Sequence, residues 1–201
     1  MKFGIDLSPR SLINAYRQGI FPMGDEYGNV NWYEADPRGI VPLHAFHIPH
    51  DLRRILRQNR FGVTLNRDFP AVIKACKDVR SSSWITDEII AAYTNLHKNG
   101  HAHSVEAWAG ERLVGGLYGV AVGGAFFGES MFHLQRDASK VALAHLGYWL
   151  RAADFLLFDI QMVTDLLSRF GATLIDKESY LKKLERAVRV ERQLQKIDVA
   201  W

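Results

Sequence analysis

The sequence predicts an α+β protein: a mixed sheet with flanking helices, preceded by a small N-terminal domain. Three observations lead there. Ser104–Trp108, Arg112–Val122 and Ala125–Phe132 form consecutive strand patterns with only short breaks, a meander. Segments of helical periodicity lie on either side of it. Finally, Phe155-Leu-Leu-Phe-Asp-Ile-Gln161 is a nearly continuous apolar run after a helix, the pattern of a strand buried on both faces.

From the N-terminus, Ser8-Pro9 supplies a cap and a first-turn proline to a helix burying Leu12, Ile13, Ala15 and Tyr16, with Gly19 as its stop. Ile20-Phe-Pro-Met-Gly and Asn31-Trp-Tyr-Glu-Ala-Asp-Pro-Arg38 follow, aromatic and broken by proline, and read as the rest of a small domain and its linker; the division is placed at 1–36 and 37–201. In His50–Arg60, Leu52, Ile55 and Leu56 share one helical face and Arg53, Arg54, Arg57 and Arg60 occupy the remainder. Phe61, Val63 and Leu65 alternate as a half-buried strand does. Helices follow over about 68–77 and from Thr86-Asp87-Glu88 to Gly100. After the meander a helix over about 139–152 buries Val141, Leu143, Leu146 and Leu150. Thr164 caps a short helix ended by Gly171, and Asp176 caps a long polar C-terminal helix.

The 201 residues suffice for one sizeable core, and 48% hydrophobic with 23% charged residues is ordinary for a globular protein. The net charge of +3 permits a polyanionic partner without requiring one. Cys76 is the sole cysteine, which excludes an intrachain disulfide and a cysteine-based zinc site; its neighbours Val72, Ile73 and Ala75 mark a buried helix face. The start, Met1-Lys-Phe-Gly-Ile-Asp, lacks the apolar core of a signal peptide, and no run of about 18 apolar residues is present. These features set the expectation of a cytoplasmic protein without a membrane partner. The histidine pairs His101/His103 and His47/His50 lack an HExxH spacing, so neither a metal nor another cofactor is expected.

Two constellations can carry chemistry. The segment Gly115–Phe132 holds glycines 115, 116, 119, 123, 124 and 128 among Leu, Tyr, Val, Ala and Phe, and reads as a hairpin turning at Gly123-Gly124. It delivers Glu129 into an apolar setting, where the charge needs either an internal Arg or Lys or a cationic ligand. Asp159 and Gln161 lie two apart on one strand and so on one face of it. Asp159 there is a general base, a group orienting Gln161, or a strand-end carboxylate capping a loop. The arginines of 53–60 fit a phosphate backbone or a solvated helix face.

The order strand, two helices, meander, helix, strand, helix resembles the GCN5-related N-acetyltransferases. That resemblance implies a coenzyme A loop bearing glycine, and here the loop is His133-Leu-Gln-Arg-Asp-Ala-Ser-Lys140, without one. A second resemblance is more specific. Tyr16-Arg-Gln-Gly-Ile-Phe-Pro, Trp32-Tyr-Glu-Ala-Asp-Pro-Arg38, Trp84-Ile-Thr, Gly100-His-Ala-His-Ser-Val-Glu106, Gly115-Gly-Leu-Tyr-Gly-Val, Gly128-Glu-Ser-Met-Phe, Ala138-Ser-Lys and Asp159-Ile-Gln161 resemble, in order, the leucyl/phenylalanyl-tRNA-protein transferases.

This resemblance implies transfer of Leu or Phe from aminoacyl-tRNA to the N-terminal Arg or Lys of an acceptor protein, marking it for degradation by the N-end rule. It implies no cofactor, and a monomer is expected. Asp159, Gln161 and Glu129 become the catalytic group. Glu129 attracts the cationic acceptor, while Asp159 and Gln161 assist attack of its α-amine. Trp84, Tyr93 and Phe126 enclose the terminal adenosine and the aminoacyl side chain, with Ser130, Tyr16 and Leu146 as further substrate-binding residues. Arg53, Arg54, Arg57 and Arg60 meet the tRNA backbone. Met23 stands where some members carry Trp, Leu166 where many carry His, and the chain starts short of longer members. A coenzyme A-dependent N-acetyltransferase and a non-catalytic RNA-binding domain are the competing readings.

Overall fold

The computed structural model describes residues 5–201; residues 1–4, where the expected N-terminal domain begins, lie outside the described residues. The first helix, α1 (Pro9–Tyr16), is capped by Ser8, whose Oγ accepts from the Ser11 N–H. The stretch read as aromatic linker is instead strand. β1 (Phe21–Gly24) and β2 (Val30–Tyr33) pair antiparallel in a sheet of their own, and β3 (Arg38–Ile40) joins the main sheet. α2 (His50–Arg57) stops before Arg60, which lies beyond the helix.

The remaining order is β4 (Gly62–Leu65), α3 (Phe69–Asp78), α4 (Asp87–Lys98), β5 (Ala102–Ala109), β6 (Arg112–Val122), β7 (Ala125–His133), α5 (Ala138–Ala152), β8 (Leu157–Gln161), α6 (Asp165–Ser168), β9 (Thr173–Ile175) and α7 (Lys177–Ala187). Thr86, Thr164 and Asp176 each cap their helix by accepting a backbone N–H, as expected. β9 carries no sequence signal of its own: it is three residues long and largely exposed.

The main sheet has seven strands in the order β4-β5-β6-β7-β8-β3-β9. β7 and β8 run parallel and every other neighbouring pair antiparallel, so the sheet is mixed as expected. β3 is a late insertion in space: it arrives from early in the chain and separates β8 from β9. One face of the sheet packs Tyr118 and Phe127 against α1, α3, α4 and α7; the other packs Phe126 and Phe158 against α2 and α5. Gly115 shows why one meander glycine is needed: a Cβ there would lie 2.9 Å from the Ser139 nitrogen, where α5 starts. Among the described residues no helix is long and apolar enough to cross a membrane.

Candidate active site

The site forms where β7 and β8 part. Their pairing runs from Ala125↔Leu157 to Phe127↔Asp159 and then ceases. On its other side β7 shifts register: Tyr118 faces Ser130 and Gly119 faces Gly128, leaving Glu129 as the extra residue of a bulge. A bulge re-aims a side chain, and this one turns Glu129 into the gap between the strands.

The gap is a pocket of about 380 Å³, lined on its apolar wall by Leu117, Met131, Leu143, Leu146, Phe158 and Ile160 and on its polar part by Glu129, Ser130, Gln161 and Arg80. That size falls in the range of small-ligand pockets, roughly 300–1,000 Å³.

Asp159 is fully buried beside this pocket, and its lone pairs are taken. Oδ1 accepts from Arg38 Nε at 3.0 Å and from the Gln161 N–H at 2.9 Å; Oδ2 accepts from Arg38 Nη2 at 2.8 Å and from the Tyr180 hydroxyl at 2.6 Å. Burial works against the Arg38 charge, but Asp159, together with smaller contributions from Tyr180 and Glu129, holds the guanidinium above its usual range. Arg38 also donates to the Gly19 carbonyl and lies over the rings of Phe21 and Tyr180. Both Asp159 oxygens are thus occupied by donors, and its contact with the pocket's polar end runs through the Gln161 N–H.

Gln161 has φ +56°, unusual for a residue with a side chain, and the Met162 N–H donates to the Ile160 carbonyl two residues back. The backbone therefore makes a tight γ-turn around Gln161, a strained arrangement costing on the order of 1–3 kcal/mol. Asp159 holds the turn through the Gln161 N–H. Gly39 of β3 makes room for it, since a Cβ there would lie 2.9 Å from the Met162 carbonyl carbon. The turn ends β8 and aims the Gln161 Nε2 at Glu129 Oε1, 3.3 Å away.

Glu129 accepts from the Tyr16 hydroxyl at 2.8 Å and lies 3.5 Å from that of Tyr93; the two tyrosines are hydrogen-bonded to each other. Burial pushes the Glu129 carboxyl up to about 8, against the Tyr16 hydrogen bond and with help from the charge on Asp159. The internal cation foreseen as an alternative partner is absent from its direct contacts among the described residues: Arg38 pairs with Asp159. Glu129 is left with neutral donors and an open side toward the pocket.

Of the residues singled out in the sequence, Asp159, Gln161, Glu129, Tyr16 and Tyr93 form one network, while Ser130 and Leu146 line the pocket that it closes. Two expected roles need correction. Tyr93 and Phe126 are fully buried, Tyr93 edge-on to Tyr118 and Phe126 edge-on to Phe158, so neither offers a ring face to a ligand. They shape the walls from behind.

Trp84 is half-buried outside the pocket lining, its carbonyl accepting from the Gly24 N–H beside Met23. Arg53, Arg54, Arg57 and Arg60 are exposed around α2 and do not border the pocket. Cys76 is buried, and burial pushes its thiol up to about 12, as befits a core residue. Sequence reading missed Arg38 and Tyr180. The buried carboxylate at 159 called for a cation, and Arg38 lay inside a motif already noted; nothing pointed to Tyr180.

Tyr118 adds a testable detail. Its hydroxyl is buried with no hydrogen-bond partner among the described residues. An unpaired buried hydroxyl costs about 1–3 kcal/mol, so Tyr118→Phe should keep or raise stability. A thermal melt is expected to show Tm unchanged or up by roughly 2–4 °C.

An apolar pocket closed by a carboxylic acid and an oriented carboxamide suits acyl transfer to an amine. The comparisons with known proteins give that class a family. Residues 40–185 match the model described as leucyl/phenylalanyl-tRNA protein transferase, and residues 5–36 match the N-terminal domain of the same family. Curated leucyl/phenylalanyl-tRNA–protein transferases include that of Salinibacter ruber, 54% identical over 92% of this chain and 82% of its own, and that of Rubrobacter xylanophilus, 48% identical over 92% and 97%. That of Akkermansia muciniphila is 48% identical over 90% and 96%. The solved structure of L-PGS from Bacillus licheniformis aligns at 12% identity and a TM-score of 0.41, over 88% of this chain and 61% of that one, too distant to bear on the fold. The chain belongs to the leucyl/phenylalanyl-tRNA–protein transferase family.

Proposed function

We propose that this enzyme moves Leu or Phe from aminoacyl-tRNA to the N-terminal Arg or Lys of an acceptor protein, marking it for N-end rule degradation in the cytoplasm. The observation that carries the reading is the pocket itself: an apolar wall sized for an aliphatic or aromatic side chain, with Glu129 and Gln161 at its polar end. The aminoacyl side chain enters against Leu143, Leu146 and Ile160, which brings the ester carbonyl to Gln161. The acceptor α-amine attacks that carbonyl, a peptide bond forms, and the bond to the ribose oxygen breaks, releasing tRNA with a free hydroxyl.

In this scheme Asp159 is a positioning residue, fixing Gln161 through the γ-turn, and Gln161 hydrogen-bonds the reacting groups. Glu129, held near 8, is matched to an α-ammonium group at roughly 7.7–8. It draws in the cationic acceptor and exchanges a proton with it at little cost. Trp84, whose carbonyl accepts from the Gly24 N–H next to Met23, meets the terminal adenosine in this reading. The α2 arginines, with Arg60 just beyond them, follow acceptor-stem phosphates.

In this reading the chain divides at 36/37 and acts as a monomer without cofactor, its second part having a GCN5-related acyltransferase-like architecture, a reading that the layout of β4 to α7 supports. Mass spectrometry of an Arg-started peptide incubated with the protein and leucyl-tRNA should show one added leucyl residue, and an Ala-started control none. Addition to neither, with tRNA bound, would overturn the proposal.

A further inference from the structure

Arg80 follows α3 and borders the pocket on its polar side. Its guanidinium is fastened by neutral acceptors alone: Nη1 donates to Ser130 Oγ at 2.9 Å and to the Cys76 carbonyl at 3.2 Å, and Nη2 to the Met131 carbonyl at 3.4 Å. Among the described residues no ion pair reaches it, although the exposed Lys74 and the half-buried Lys77 of α3 do find carboxylates. An arginine has five N–H donors, so part of the fork stays open to solvent. The side chain is thus pre-positioned, charged and without a counter-ion, at the rim of a cavity whose interior carries Glu129.

Charge is therefore ordered across the pocket, with the cation at the rim and the acid within. A cationic acceptor is drawn toward Glu129, and an anionic group of the other substrate toward Arg80. The donor of the proposed reaction supplies such a group. In an aminoacyl-tRNA the ester and the 5′ phosphodiester of the terminal nucleoside are separated by a single ribose. When the aminoacyl group occupies the apolar wall, that phosphate is the anion nearest the rim. Arg80 and Trp84 stand on one short segment, so a base at Trp84 and a phosphate at Arg80 can belong to one nucleotide. The planar fork suits phosphate oxygens in a way an ammonium does not.

We propose that Arg80 binds the phosphodiester on the 5′ side of the donor's terminal adenosine and so registers the ester over Gln161, with Ser130 holding the guanidinium in place. The proposal rests on the transferase reading above. It differs from the α2 contacts, which engage the stem on another part of the surface and cannot position the ester.

The test compares two donors, leucyl-tRNA and adenosine carrying a 3′-leucyl ester and no phosphate. Each is offered with an Arg-started peptide to the wild-type protein and to Arg80→Ala and Arg80→Lys. Arg80→Ala should lower kcat/KM for leucyl-tRNA by roughly 10-fold or more and reduce the slope of log affinity against log salt by about one. With the phosphate-free ester the same variant should match wild type within about 2-fold. Arg80→Lys should recover only part of the loss. An equal loss with both donors would overturn the proposal and make Arg80 a structural tie between α3 and β7, and no loss with either would make it a solvated side chain. Failure of the wild-type protein with both donors would instead count against the transferase reading.

Discussion

Asp159→Asn is expected to lower kcat for leucyl transfer by about 10²–10³-fold, the scale of losing one preorganised electrostatic group, while the affinity for tRNA stays nearly unchanged. The carboxylate lies outside the pocket, so removing its charge touches no substrate directly. It does turn one acceptor into an NH2 donor, set either against the Arg38 Nη2 and Tyr180 donors or against the Gln161 N–H and Arg38 Nε, and it leaves Arg38 buried without its counter-charge. Breaking one half of a buried pair costs about 3–5 kcal/mol, so the variant should also melt at a lower temperature. Tyr180→Phe is the informative companion. It deletes one 2.6 Å hydrogen bond to the same carboxylate but keeps the ion pair, and the loss should be nearer 1 kcal/mol, about the worth of a single hydrogen bond. Steady-state kinetics below both melting points, with tRNA binding measured separately, decide the matter. Full turnover in a folded Asp159→Asn protein would remove Asp159 from the mechanism.

Glu129→Gln should act on the acceptor and do so as a function of pH. With the carboxyl pushed up to about 8, the wild-type site is largely neutral at pH 6 and ionised at pH 9. The ratio of wild-type to variant kcat/KM for an Arg peptide should accordingly be small at pH 6 and climb to a plateau above pH 8. A plateau near 10²-fold would correspond to about 2.7 kcal/mol. A flat ratio would show that Glu129 does not meet the amine.

Stability should move the opposite way. Because the folded value lies above the ordinary 4.5, the folded state keeps the proton longer than the unfolded chain does. The contribution of Glu129 is most favourable below about pH 4.5, declines as pH rises to about 8, and is constant beyond. Glu129→Gln removes this slope, so the variant gains on wild type between melts at pH 5 and pH 8.5.

How far the sequence reveals this arrangement depends on how local each cause is. The meander, its turn and the helices after it are visible because caps, glycines and periodicity act over a few residues; Thr86, Thr164 and Asp176 do what their positions suggest. β3 and β9 have three residues each and owe their existence to partners far along the chain, so no pattern within them predicts a strand. The bulge at Glu129 is likewise a matter of register between two strands.

In the site, Glu129 and Asp159 stand out as charges in apolar runs, which is a local anomaly. That Asp159 would be consumed by Arg38 and Tyr180, and that the Tyr93 ring would face inward, are outcomes of packing. Residue type alone makes Tyr93 and Phe126 good stacking groups. Only their neighbours show that no face is left.

The Arg38–Asp159 contact joins residues 121 positions apart, and Tyr180 closes the same knot from α7. Tyr16 comes from α1, Tyr93 from α4 and Glu129 from β7. The last support of the polar end, Tyr180, is therefore synthesised after every residue of the apolar wall. Until α7 has emerged and docked, Asp159 lacks one of its holders and the turn at Gln161 lacks full support.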